Sequence, residues 1–275
     1  MRKNFAVLAG LGAVGLLLTG CGGGTNAITV TTSVPVRTVT QSASPTSSES
    51  GSALASPEAM KSYADAQMNE ADPDAMRSAL KLTAPNSIAY IYLDHEANMS
   101  EAALDGGQSL PKTEVTDMGD GTFKACNDPN DATSCLTFGD FKINAAGKLV
   151  DLTVNKQQIG PRITAGNGQA VTAGGTKFTL LTAYKSIQGN WLSVAVKIET
   201  GSQPIDANIS SATYRDPDGK LRTATNSAGV TQIAANSNTI VAMNFSSVKA
   251  GGKVTLQGCV PQDCSNSYTA VINVG

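Results

Sequence analysis

The hydrophobic period of this chain changes once, near Asp105-Gly106-Gly107, and that change limits the fold more than any other feature. Before it, apolar residues recur every three or four positions, as on a helix face; after it they alternate, as on strands. Ser56-Pro57 is a cap followed by proline at the first helical position, and Met60, Tyr63, Ala64, Gln67 and Met68 then share one face of a helix reaching about Ala71. Asp72-Pro73 repeats the signal ahead of Met76, Ala79, Leu80 and Leu82. Asn86 or Ser87 caps a third helix, whose stripe of Ile88, Ile91, Tyr92, His95 and Met99 ends near Leu104. Beyond the switch, residues 113–118 and 122–126 flank Gly119-Asp120-Gly121, and 136–144 and 148–155 flank Ala145-Ala146-Gly147, two hairpin signals.

Strand-like runs then recur at 176–185, 191–199, 206–215, 220–225, 238–248, 253–257 and 268–274, parted by turns such as Gln188-Gly189-Asn190 and Pro217-Asp218-Gly219. Leu192, Val194, Val196 and Ile198 point one way, while 240–245 alternates poorly, as a strand covered on both faces does. The predicted fold is therefore an α+β N-terminal domain at 57–158, three helices and then an antiparallel sheet. A joint at 156–168 leads to an all-β sandwich at 166–275.

The first twenty residues belong to neither part. Arg2 and Lys3 precede an apolar run from Phe5 to Leu18 that is too short, and too rich in glycine, for a good membrane span. It ends in Leu18-Thr19-Gly20-Cys21, which closely resembles the lipobox of bacterial lipoproteins. The resemblance implies a signal peptide at 1–20, cleavage before Cys21, and diacylglycerol on its thiol. The protein would then sit on the extracytoplasmic face of the cell membrane, held by several acyl chains where one would not suffice. Residues 21–56 form a Ser/Thr-rich linker: nearly half of 25–56 is Ser or Thr, too little apolar surface to fold alone. The same composition permits O-glycosylation.

The 57–158 segment, through phrases such as Ala-Pro-Asn-Ser-Ile-Ala-Tyr-Ile-Tyr-Leu-Asp-His-Glu-Ala and Gly-Lys-Leu-Val-Asp-Leu-Thr-Val-Asn, resembles the nuclear transport factor 2-like, cone-shaped domains of bacterial lipoproteins. The likeness covers about a third of the chain and implies a pocket between helices and curved sheet, reached by Tyr92, His95 and Met99. The C-terminal part resembles the immunoglobulin-like domains of other bacterial lipoproteins. It lacks the inter-sheet disulfide of antibodies, since no cysteine lies between 136 and 258.

With Cys21 lipidated, four cysteines remain, and they allow three pairings. Export to an oxidising compartment favours the local pairs Cys126–Cys135 and Cys259–Cys264. A zinc site would need two-residue spacings and histidine partners that the chain does not supply.

Little points to chemistry. His95 is the only histidine, and Asp94 projects about 100° from it on a helix, a poor angle for orienting the ring as a base. No phosphate loop, dinucleotide fingerprint or serine-nucleophile motif is present. Asn127, Asp128, Asn130 and Asp131 carry closely spaced oxygens suited to calcium, but Asn and Asp also build ordinary turns. Removing 1–20 leaves 18 basic against 22 acidic residues, net −4, which disfavours nucleic acid. The expectation is a non-catalytic binding or scaffold module of the envelope. It would have no cofactor and would contact the membrane and an envelope protein. The alternative is a carrier that holds a small molecule or lipid in the α+β pocket.

Overall fold

The computed structural model describes residues 56–261 and 263–275; the signal segment 1–20, Cys21 and nearly all of the linker 21–56 lie outside the described residues. Three helices come first, each started by a side-chain cap. Ser56 accepts the Ala59 N–H ahead of α1 (Pro57–Gln67), Asp72 accepts that of Ala75 ahead of α2 (Pro73–Ala79), and Ser87 accepts that of Tyr90 ahead of α3 (Ile88–Asp105). Prolines at the start of α1 and α2 cost nothing, because those N–H groups have no helical partner.

Strands β1 (Val115–Asp117), β2 (Phe123–Cys126), β3 (Cys135–Ile143), β4 (Leu149–Val154) and β5 (Gln157–Gln158) follow as an antiparallel meander, the first sheet. Next come β6 (Ile163–Ala165), β7 (Ala170–Ala173), β8 (Thr176–Lys185), β9 (Trp191–Glu199), β10 (Ile205–Ala207), β11 (Thr213–Arg215) and β12 (Leu221–Thr223). The chain ends with β13 (Asn226–Ala228), β14 (Gln232–Ile233), β15 (Asn238–Ser246), β16 (Lys253–Val260) and β17 (Asp263–Asn273). They make a second sheet in the order β13-β15-β9-β8-β6 with β7 beside β8, and a third in the order β12-β11-β16-β10-β14 with β17 beside β16.

Sheets two and three pack face to face. Phe178, Leu192, Val194, Val196, Ile198, Val241, Met243 and Phe245 of sheet two meet Tyr214, Val254, Leu256, Ala270 and Ile272 of sheet three, all buried. The four alternating residues of β9 point into this core as expected. The other face of sheet two is buried as well, since β9 and β15 each run through five consecutive buried residues. What covers that face is α3. Ala102 of the helix packs with Ala195 of β9 and with Ile240 and Ala242 of β15. Small residues on both sides allow close approach, and at the helix end a Cβ on Gly106 would stand 2.9 Å from the Gly229 nitrogen. The opposite side of α3, through Ala89, Tyr92, Leu93 and Ala97, joins Tyr63, Met76, Phe123, Phe138, Leu149 and Leu152 in a second core with the first sheet.

The predicted fold class is corrected by this arrangement. Among the described residues strand outweighs helix, in three antiparallel sheets with three α-helices. It is not an α+β domain joined to an independent immunoglobulin-like sandwich. The reason is the doubly apolar sheet two: its outer face needs a cover, and α3 supplies it while also closing the first sheet. The described residues all belong to one compact unit. The stretch 156–168 is part of the fabric, because β6 within it pairs with β8. The single strand expected at 206–215 is broken by a helical turn at Ile209–Ser211, which lets β10 and β11 bind successive stretches of β16.

Candidate functional site

The face of α3 between the first two sheets carries Tyr92, His95, Glu96 and Met99, at positions i, i+3, i+4 and i+7. All four line one cavity of about 260 Å3. The structure therefore brings Tyr92, His95 and Met99 to a common wall, together with Glu96, which was not among the expected pocket residues. Gln67, Met68 and Glu70, at and beyond the end of α1, close one side. Tyr184, Ser193 and Asn244 of sheet two close another. A larger depression of about 690 Å3 lies between Asp206, Ser210, Gly229 and Cys259, but it is a more open groove with Asp206 as its only charged side chain.

His95 is almost wholly buried, 1% exposed, with Nδ1 2.8 Å from Thr182 Oγ1 and Nε2 2.8 Å from Ser193 Oγ. The proton positions follow from valence. The Ser193 hydroxyl donates its one proton to the Tyr184 carbonyl at 3.1 Å. Nε2 must then carry a proton and donate to Ser193 Oγ, and Nδ1 must accept from Thr182 Oγ1. Burial pushes the imidazole down to about 3, so it stays neutral. With both nitrogens engaged, His95 ties α3 to β8 and β9.

A register shift in β8 makes this contact possible. Phe178 and Leu180 face the sandwich core, but the irregularity between Leu180 and Thr182 inverts the alternation. Ala183 then faces the core, while Thr182 and Tyr184 turn toward α3. A β-bulge commonly re-aims a side chain in this way. Strict alternation would have put Thr182 on the wrong face, which is why the sequence did not reveal it as a partner of His95.

Glu96 has a strongly altered acidity. Dense protein surrounds its carboxyl, although the side chain is only half-buried because one side faces the cavity. Burial first, and the Glu70 carboxylate second, push it up to about 8. Burial also raises Glu70. Among the described residues, neither glutamate takes part in any ion pair. Tyr92 and Tyr184 stand with ring centroids 5.2 Å apart, and burial raises both phenols.

The rim is stapled. Cys126 and Cys135 are cross-strand partners in β2 and β3 and are joined by a disulfide, with Cα atoms 4.0 Å apart. Gln188 of the β8–β9 loop donates to the Cys135 carbonyl at 3.3 Å, so the staple also holds the second sheet's loop. Trp191 lines the cavity and is 39% exposed; its indole lies over Gly189, where a Cβ would collide with the ring. The Cys126→Ser/Cys135→Ser double variant should lose about 2–3 kcal/mol of stability, the loop-entropy value for so short a closure. Urea unfolding with and without reductant measures this, and an unchanged midpoint would refute it. Cys259–Cys264 forms the second disulfide, in the turn between β16 and β17.

The oxygens considered for calcium are used locally. Asp128 Oδ1 accepts from the Asn130 N–H, Asp131 Oδ1 from the N–H and hydroxyl of Thr133, and Asn127 Oδ1 from the Thr113 hydroxyl. Among the described residues no group of three or more His, Cys, Asp or Glu is placed to hold a metal, and no helix is long and apolar enough to cross a membrane. Set beside protein-family models, curated proteins and solved structures, the chain matches none of them.

Proposed function

We propose that this chain is an extracytoplasmic lipoprotein, anchored through diacylglycerol on Cys21, whose folded part is a non-catalytic module that binds a small ligand in the cavity beside α3. The observation that carries the reading is the cavity itself, about 260 Å3, with the Glu96 carboxyl at its wall and no ion-pair partner for it among the described residues. Pockets of roughly 300–1,000 Å3 hold drug-sized molecules, so the ligand here is smaller, and a diacyl lipid would not fit. The saturated hydrogen bonding of His95 supports binding over proton transfer, because a base needs a free lone pair near its substrate. The Leu18-Thr19-Gly20-Cys21 sequence supports the address, and the two disulfides suit an oxidising compartment. A binding or scaffold module for an envelope protein was the first expectation; the cavity favours the alternative, a small ligand.

Two measurements test the reading. Mass spectrometry of the mature chain should find an acylated Cys21 at the amino terminus; an intact leader or an unmodified thiol would overturn the anchor. Ligand-observed NMR of the full chain in detergent, against a collection of small polar fragments, should find saturable binders. Their signals should vanish in Leu136→Trp, which fills the cavity from its wall. Fragments that bind wild type and Leu136→Trp alike would remove the cavity as the site.

A further inference from the structure

Three acceptors at the cavity wall stand without a donor among the described residues. Glu70 and Glu96 make no hydrogen bond or ion pair to any described residue, and Asn244 Oδ1, at the same wall, is fully buried with no partner. Three of the donors nearby are already committed. Gln67 Nε2 donates to Tyr63 Oη, Gln188 Nε2 to the Cys135 carbonyl, and Ser193 Oγ to the Tyr184 carbonyl. Two carboxyls with no cation beside them, and one buried amide oxygen with no donor, suit a partner that brings N–H groups and positive charge.

The remainder of the wall says what that partner's body is like. The rings of Tyr92 and Tyr184 and the side chains of Met99, Leu136 and Phe138 line the same space. Aromatic faces attract organic cations. A hard divalent metal would want six or more oxygen ligands, and two carboxyls among rings and thioether do not supply them.

We propose that this cavity selects a small organic ammonium ion, an amine on a short apolar body, with Glu96 and Glu70 as its counter-charges. The proposal rests on the small-ligand reading above and names its ligand class. The groups facing Glu96 are Tyr63 from α1, Glu70 just beyond α1, Tyr92 and His95 on its own helix, and Tyr184 from β8. None supplies a positive charge: the phenols are held neutral by burial, and so is His95. Glu96 is therefore mostly protonated near neutral pH in the empty cavity. An arriving ammonium favours the carboxylate, so binding expels the Glu96 proton to the buffer.

Isothermal titration calorimetry on the full chain in detergent tests this, with butylammonium and cyclohexylammonium as probes and butanol and cyclohexanol as neutral matches. The ammonium probes should bind at least about tenfold more tightly than their alcohols, the strength of a charge-assisted hydrogen bond. Their apparent heat should vary with the buffer's protonation enthalpy. Glu96→Gln should lose about tenfold or more in ammonium affinity while its thermal transition is no lower than that of wild type, and Glu70→Gln should weaken binding in the same direction. Alcohols that equal the ammonium probes, or a Glu96→Gln variant that binds them unchanged, would overturn the cation assignment and leave the small-ligand reading standing. If no probe of either kind binds and the fragment survey is also empty, both fall together.

Discussion

Replacing His95 by alanine is expected to destabilise the protein by about 3–5 kcal/mol, the range for emptying a large buried site and stranding its hydrogen-bond partners. The ring fills a fully enclosed position between α3 and sheet two, and it satisfies both Thr182 Oγ1 and Ser193 Oγ. Thr182→Val should cost less, about 1–2 kcal/mol, because it leaves one ring nitrogen without a partner but keeps the packing. Combined with His95→Ala, it should cost little more than His95→Ala alone, since the shared bond is already gone. Urea unfolding of the three variants measures this. A His95→Ala loss under about 1 kcal/mol would contradict the role as a tie.

The same residue gives an acid limb. In the unfolded chain His95 takes up a proton below about 6.5, whereas burial holds the folded ring neutral down to about 3. Between those values the unfolded state binds more protons, so stability falls as pH falls, by at most about 1.4 kcal/mol per unit. His95→Ala lacks this component. The gap between wild type and variant should therefore narrow from pH 7 to pH 4, and a gap that stays constant would contradict a buried neutral ring.

Glu96→Gln is expected to do the reverse, stabilising the protein on the alkaline side. The folded carboxyl titrates near 8 while the unfolded value is 4.5, so the folded state binds more protons between them. The stability linked to Glu96 is fully present below about 4.5 and is lost as pH rises through about 8. Glutamine keeps the shape without the charge. The variant should match wild type near pH 4 and exceed it by on the order of 3 kcal/mol near pH 9, once the open cavity side is allowed for. Thermal unfolding across that range reads the difference directly. Equal pH profiles for the two proteins would mean that Glu96 is solvated like a surface carboxylate. One helix turn thus carries two opposite linkages, because burial penalises the charged form of each residue and those forms lie on opposite sides of neutral.

Much of the local structure was legible beforehand. Thr176–Lys185 and Trp191–Glu199 are strands over the ranges their alternation predicted, and Ser56, Asp72 and Ser87 cap the helices they precede. The two local disulfides are the pairs that their sequence spacing favoured. Propensity, capping and turn chemistry act over a few residues, so a sequence displays them directly. Tyr92, His95 and Met99 were recognisable as one stripe for the same reason. Glu96 occupies the same face but, as a charged residue, falls outside the apolar stripe; only the wall opposite shows that it points into a cavity.

What the chain's own order of residues determined, then, is its elements: where helices start, where strands run, which cysteines are close enough to join, and the leader-like run ending at Cys21. What tertiary structure alone decided is how they are shared. Sheet two is apolar on both faces, so α3 was claimed by two cores at once and a modular α+β-plus-sandwich arrangement gave way to one interlocked unit. A one-residue irregularity in β8 then turned Thr182 and Tyr184 toward that helix. Both outcomes depend on which surfaces meet across long stretches of chain, where burial of the second apolar face outweighs any local preference.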